Sequence, residues 1–222
     1  MDKITHPQSS SFFNKYRFWL ILLSAGLLLE IPFISIPLKW FESYFHEISH
    51  GLAAIISGGS VIQIQLFPNG AGLCTTRGGS NFLISFFGYA GAAIWGVIIY
   101  WFAAMHQRIA QIFSAIVAIL LVMTLLLWVR DLFSFVIMVV LLSVILLKFK
   151  LQNLAYFQLF LQLIGATVLL NSLKSPWYLI DGRALGDGAA LAQLTGLPEI
   201  IWVCLWFVIG VFGIVTLAKI KK

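Results

Sequence analysis

Residues His46, Glu47, Ile48, Ser49 and His50 spell an H-E-x-x-H pattern inside a strongly apolar stretch. On a helix, residues four apart share a face, one turn above the other. Two imidazoles at that spacing can hold one zinc ion from the same side, and Glu47 beside them can take a proton from a water that the metal activates. Ionisable side chains are expensive to bury in hydrocarbon, so those found there are candidates for function. Three of them within five residues predict zinc-dependent hydrolysis inside a bilayer. The bland alternative is a helix whose polar residues only hydrogen-bond to neighbouring helices. The apolar setting weighs against it, because each unpaired polar group costs more there. Gly51, Ala53 and Ala54 follow the pattern, and small residues let another helix approach closely.

A catalytic zinc usually has three protein ligands and one open position. Glu47 is needed as the base, so the third ligand must come from elsewhere. Two aspartates in the polar segment before the last apolar run qualify: Asp181, in Leu179-Ile180-Asp181-Gly182, and Asp187, in Gly186-Asp187-Gly188. Each has a purely structural reading. Asp181-Gly182 suits a turn, and Asp187 stands where a helix N-cap belongs.

The elements that must position these groups follow from composition. The 222 residues are 61% hydrophobic and 10% charged, with a mean hydropathy of +0.99. Soluble domains are about 45–50% apolar and about 25% charged. The expected fold is therefore an all-α membrane protein, one polytopic bundle over 1–222 with a polar tail at 1–15. Apolar runs at 17–38, 40–57, 82–105, 109–128, 132–147, 154–173 and 199–218 predict about six or seven transmembrane helices. The second carries Glu42, His46, Glu47 and His50, so it should be buried among the others. Residues 61–76 partly alternate, are rich in β-branched residues, and hold the turn signal Pro68-Asn69-Gly70; they predict a short β-hairpin directly after the H-E-x-x-H helix. Ala189 to Leu194 reads as a short helix ended by Gly196 and Pro198.

Other features bound the function. The net charge of +6 suits contact with anionic lipid headgroups and gives no reason to invoke nucleic acid. Cys74 and Cys204 have neither a C-x-x-C spacing nor a disulfide pattern. The first apolar run reads as a retained helix and not a cleaved signal peptide. Lysines and arginines balance between the two sides for seven spans, although Lys3, Lys15 and Arg17 alone favour a cytoplasmic N-terminus. Glu30, before Pro32, reads as a partner for backbone groups freed by the proline. Arg130-Asp131 reads as a solvated turn with a local ion pair. His106 and His6 read as loop and tail histidines, and the eight tryptophans as interfacial belts. Asn171 reads as a residue at a helix end near Lys174, with donation to an oxyanion as the functional alternative.

The chain resembles the site-2-protease-like intramembrane zinc metalloproteases, in particular their small bacterial branch without a PDZ domain. The resemblance runs over most of the chain. It is carried by His46, Glu47 and His50 in HEISHG, by Gly58-Gly59, the Phe67-Pro68-Asn69-Gly70 turn and Thr76-Arg77-Gly78-Gly79, by Phe87-Gly88-Tyr89-Ala90-Gly91, and by the aspartate-led stretch from Asp187 to Pro198. Asn171, Pro176 and Leu179-Ile180-Asp181-Gly182 resemble the wider family's third-ligand motif, with one residue inserted between Leu and Asp and with fewer prolines. The wider family thus points to Asp181 and the branch to Asp187, which is the preferred ligand. The resemblance implies hydrolysis of peptide bonds in membrane-spanning or membrane-anchored proteins, with Zn2+ as cofactor, in a multi-pass protein of the bacterial inner membrane. Two rivals remain: a zinc-binding membrane protein without proteolytic activity, and an ion or proton transporter lined by Glu30, Glu47 and the histidines. Nothing in the sequence specifies an oligomeric state.

Overall fold

The structure of the chain, a computed structural model, describes residues 10–147, 154–180 and 182–220. It is mostly helical, with one two-stranded sheet. In chain order the elements are α1 (Ser10–Glu30), α2 (Ser35–Ile56), β1 (Ser60–Leu66), β2 (Gly72–Arg77), α3 (Asn81–Ala104), α4 (Gln107–Leu127), α5 (Leu132–Leu146), α6 (Leu154–Lys174), a 3-10 turn (Ser175–Leu179), α7 (Asp187–Thr195) and α8 (Glu199–Lys219). The tail expected over 1–15 gives way to helix at Ser10. His6, Lys3 and Asp181 lie outside the described residues.

Among the described residues four helices are long and apolar enough to cross a membrane: α3, α4, α6 with its 3-10 extension, and α8. A fifth crossing arises if α1 and α2 count as one broken span. The two apolar runs that the sequence separated near residue 39 are divided instead at 31–34. Pro32 has no amide proton for the helix ladder, Phe33 adopts φ of +66°, and the axis bends by 107°. α5, at 15 residues, is shorter than the roughly 20 residues a perpendicular span needs. Many large apolar side chains point outward, among them Leu23, Leu27, Leu126 and Phe212. A surface of this kind belongs in lipid and not in water. The protein is a multi-pass membrane protein.

α2 is the central element. It packs on α3, α6 and both strands, and Phe41, Tyr44, Phe45 and Ile48 are fully buried on it. The expectation that this helix is enclosed therefore holds. α3 and α6 form the most extensive pair. Gly96 allows their approach, since a Cβ there would lie 2.7 Å from the Leu169 backbone nitrogen.

β1 and β2 are antiparallel, with Ile64 opposite Cys74 and Leu66 opposite Gly72. The turn closes with a Gly70 amide to Phe67 carbonyl bond of 3.0 Å, and Gly70, the last residue of that turn, takes a positive φ of 91°, which glycine adopts without strain. The outer edge of β1 is occupied. The Ile64 amide donates to the Trp128 carbonyl at 3.0 Å, and the Leu66 amide to Ser134 Oγ at 2.8 Å. The outer edge of β2 faces α2 instead.

Two local expectations change at the α4–α5 turn. Asp131 is the N-cap of α5, accepting from the Ser134 amide at 2.9 Å and its hydroxyl at 2.8 Å. Burial raises the Asp131 carboxyl, but these bonds and one from Gln65 outweigh it and hold the group below its ordinary value. Arg130 bonds the Val129 and Leu127 carbonyls, and no Arg130–Asp131 pair is among the ion pairs of the described residues. Neighbouring backbone groups offered each side chain a closer partner. His106 is the N-cap of α4 and accepts from the Arg108 amide. The tryptophans divide: Trp19, Trp101 and Trp177 are exposed, whereas Trp202 and Trp206 are core.

Candidate metal centre

The four-residue spacing on α2 puts both histidines on one face, with Nε2 of His46 2.9 Å from Nε2 of His50. α7 supplies the third group. Asp187 Oδ2 lies 3.1 Å from His46 Nε2 and 3.3 Å from His50 Nε2. Ligands of a tetrahedral zinc, with bonds near 2.0–2.1 Å, are separated by roughly 3.3 Å. The three atoms are close to that spacing, and they are the one group of metal-ligand type among the described residues.

The protonation pattern also suits a cation. His50 Nδ1 is 2.6 Å from the Ile84 carbonyl oxygen. A carbonyl only accepts, so Nδ1 carries a proton and Nε2 is the nitrogen turned to the cluster. An outer partner of this kind is what orients metal-binding histidines. Burial opposes charge on Asp187, but the imidazoles of His50 and His46 hold its carboxyl well below the usual carboxylate range. Metal binding takes the ionised carboxylate and neutral imidazoles, so it releases protons from the cluster. Two imidazoles and a carboxylate form a donor set that zinc accepts, and the residues fit the ion.

Asp187 is not the N-cap that the sequence predicted. The helix starts on it, Gly186 holds the cap position, and no side chain caps the first turn. The carboxylate turns to the histidines instead. An acidic residue in the first turn still complements the helix dipole, so local stability and the cluster do not compete for it.

Glu47 is 4% exposed and held from the hairpin side. The backbone amide of Cys74 donates to its carboxylate. Gly72 packs directly on it, since a Cβ there would sit 2.8 Å from Glu47 Cδ. A cavity of about 470 Å³ opens beside His46 and Glu47, walled by Glu42, Ser43, Tyr89 and Asn171 and by the hairpin turn at 70–72. Asn171 thus belongs to the cavity and is more than a helix end. It is buried, and its Nδ2 has no hydrogen-bond partner among the described residues. Glu30 does not serve the backbone around Pro32. It forms an exposed pair with Lys174, 2.8 Å apart, because the bend after α1 brings it to the C-terminal end of α6.

Three contributors escaped the sequence reading. Glu42 was noted only as a polar residue of its helix, yet it lies four residues before His46, on the same face, and the same periodicity would have found it. Tyr89 and Gly88 come from α3, and only packing brings them here. A Cβ at Gly88 would lie 2.6 Å from His50 Nε2 and 2.7 Å from His46 Cε1. Gly88→Ala must therefore push the imidazoles apart, and overpacking costs about 1–3 kcal/mol. We expect a lower melting temperature in detergent and zinc affinity reduced about tenfold or more, read by thermal unfolding and by competition with a chromophoric chelator.

No curated protein and no solved structure matches the chain. A family model does: that of the Peptidase M50B-like proteins covers residues 19–217, a span that includes both histidines, the hairpin, Tyr89 and Asp187, bears out the site-2-protease-like resemblance, and shows that the chain belongs to this peptidase family.

Proposed function

We propose that the protein is an intramembrane zinc metalloprotease that cuts membrane-embedded or membrane-anchored proteins, with His46, His50 and Asp187 as zinc ligands and Glu47 as catalytic base. The observation that carries this reading is the convergence of the three ligand groups next to Glu47, with His46 and Glu47 lining a cavity in an apolar bundle. Three ligand groups among the described residues suit a catalytic site with an open position better than a closed structural site, which takes four.

Zinc in this site supplies Lewis acidity, acidifying water and polarising a carbonyl. Glu47 takes a proton from the attacking water on its carboxylate and delivers it to the leaving amine nitrogen. The amide of Cys74 and the close packing of Gly72 keep that carboxylate in one orientation. A helical peptide bond is shielded by its own hydrogen bonds, so the substrate must enter unwound. The outer edge of β1 is already bonded to Trp128 and Ser134, which leaves the cavity-facing end of β2 near Gly72 as the edge an extended segment can join. Asn171 Nδ2, buried without a partner, is a donor for that segment's backbone carbonyls. We assign the protein to a bacterial inner membrane, with α1, α2 and the short α5 as separate inserted elements in a bundle of six or seven.

The test is metal removal. Purified protein in proteoliposomes, given a single-pass substrate, is expected to cleave it, to lose cleavage with a strong chelator, and to regain it with about one equivalent of zinc. Zinc-loaded wild type that cuts no membrane-anchored substrate, or cleavage indifferent to chelation, would sink the reading.

A further inference from the structure

Tyr89 walls the cavity and has no part in the chemistry above. Its ring is clamped on two sides. It meets the His46 ring edge-on, with centroids 4.3 Å apart and planes at 72°, and it packs on the Trp206 ring at 4.9 Å. Trp206 is itself buried and anchored through Nε1 to the Phe86 carbonyl at 3.0 Å. The phenol is therefore held in one direction by rigid neighbours. Tyr89 lines the same cavity as His46, Glu47 and Asn171, which puts its side chain among the proposed reacting groups. Among the described residues its hydroxyl makes no hydrogen bond, so it is a donor left without a protein partner at the cavity wall.

Peptide hydrolysis builds negative charge on the scissile carbonyl oxygen, and a fixed donor aimed at that oxygen is among the largest contributions a site can make. Two of the other donors lining the cavity are engaged. The Ser43 hydroxyl donates to the Gly70 carbonyl. Lys174 is paired with Glu30; Asn171 Nδ2, on α6, is the donor proposed for the substrate backbone. Carboxylates, when ionised, only accept. The base is held from the hairpin side and Tyr89 stands on α3, so proton acceptor and oxyanion donor come from different walls of the cavity.

We propose that Tyr89 is a catalytic residue whose hydroxyl donates a hydrogen bond to the scissile carbonyl oxygen as it takes on negative charge. This rests on the proteolytic reading. Only a hydrogen bond forms; the phenol keeps its proton throughout.

Tyr89→Phe removes one oxygen and keeps both ring contacts. With a single-pass substrate in proteoliposomes, kcat is expected to fall about 100-fold or more, with KM within about twofold and with zinc content and melting temperature unchanged. Three results would overturn the proposal: kcat within about threefold of wild type, a loss that tracks loss of zinc, or a raised KM at constant kcat. Tyr89→Leu, which also strips the His46 contact, is the companion. If it alone is impaired, the ring only buttresses His46 and the proposal is wrong. Wild type serves as the control that separates failures: if it cleaves nothing, the proteolytic reading falls and this inference with it.

Discussion

Glu47→Gln is expected to lower the cleavage rate by about 1,000-fold or more while leaving about one zinc per chain. A well-placed general base contributes roughly 10²–10⁴, and the amide that replaces it has almost the same shape but cannot accept the proton. The ligands at His46, His50 and Asp187 are untouched, so metal content should not change. The amide oxygen can still accept from the Cys74 backbone amide that Glu47 uses. Burial makes the charge of a carboxylate costly and the neutral amide avoids that cost, so the variant should melt at the same temperature as wild type or higher. Loss of activity with unchanged or raised stability separates a catalytic role from a structural one. Single-turnover cleavage, zinc analysis and thermal unfolding decide it. A variant that cuts at near wild-type rate would remove Glu47 from the mechanism.

The second large effect is on the metal. Asp187→Ala should lose most of its zinc, as should His46→Ala, because two remaining ligands bind far more weakly than three. Even partners one step removed from a metal change affinity by about 10–100-fold, and a ligand should matter more. Asp187 starts α7 without capping it, so its removal takes only a favourable dipole contact of about 0.3–1 kcal/mol from that helix. Zinc loss should therefore occur in a folded protein, as circular dichroism would show. Asp181→Ala is the matched control and should keep its zinc. The reverse pattern would transfer the third-ligand role to Asp181 and leave Asp187 as a charge partner of the histidines.

The two aspartates show where the sequence stopped being informative. Both precede a glycine in one polar segment, and local pattern gives each a turn or cap role. Which of them reaches α2 depends on how the segment between α6 and α8 crosses the bundle, and that path is a tertiary property. The prediction of Asp187 drew on family likeness, and the 3.1 and 3.3 Å contacts of its Oδ2 with the two histidines accord with it. Asn171 was read mainly as a helix end for the same reason. Its neighbours in sequence are local, but the neighbours that matter lie on α2 and α3.

The sequence by itself determined the membrane setting, the helical class, the hairpin and the pair of histidines with their glutamate. Each of these is written within one segment: hydropathy over about 20 residues, turn chemistry at Pro68-Asn69-Gly70, and a four-residue spacing on one helix. The break between the first two apolar runs was misplaced because a run continuous in hydropathy hides a bend at Pro32 and Phe33. Only the tertiary structure showed that Asp187 faces the histidines, that the outer edge of β1 is occupied, and that Tyr89, Asn171 and Gly88 lie beside α2. Those facts depend on how closely α3 and α6 approach α2. That distance is set by the summed packing of many side chains, and no single segment encodes it.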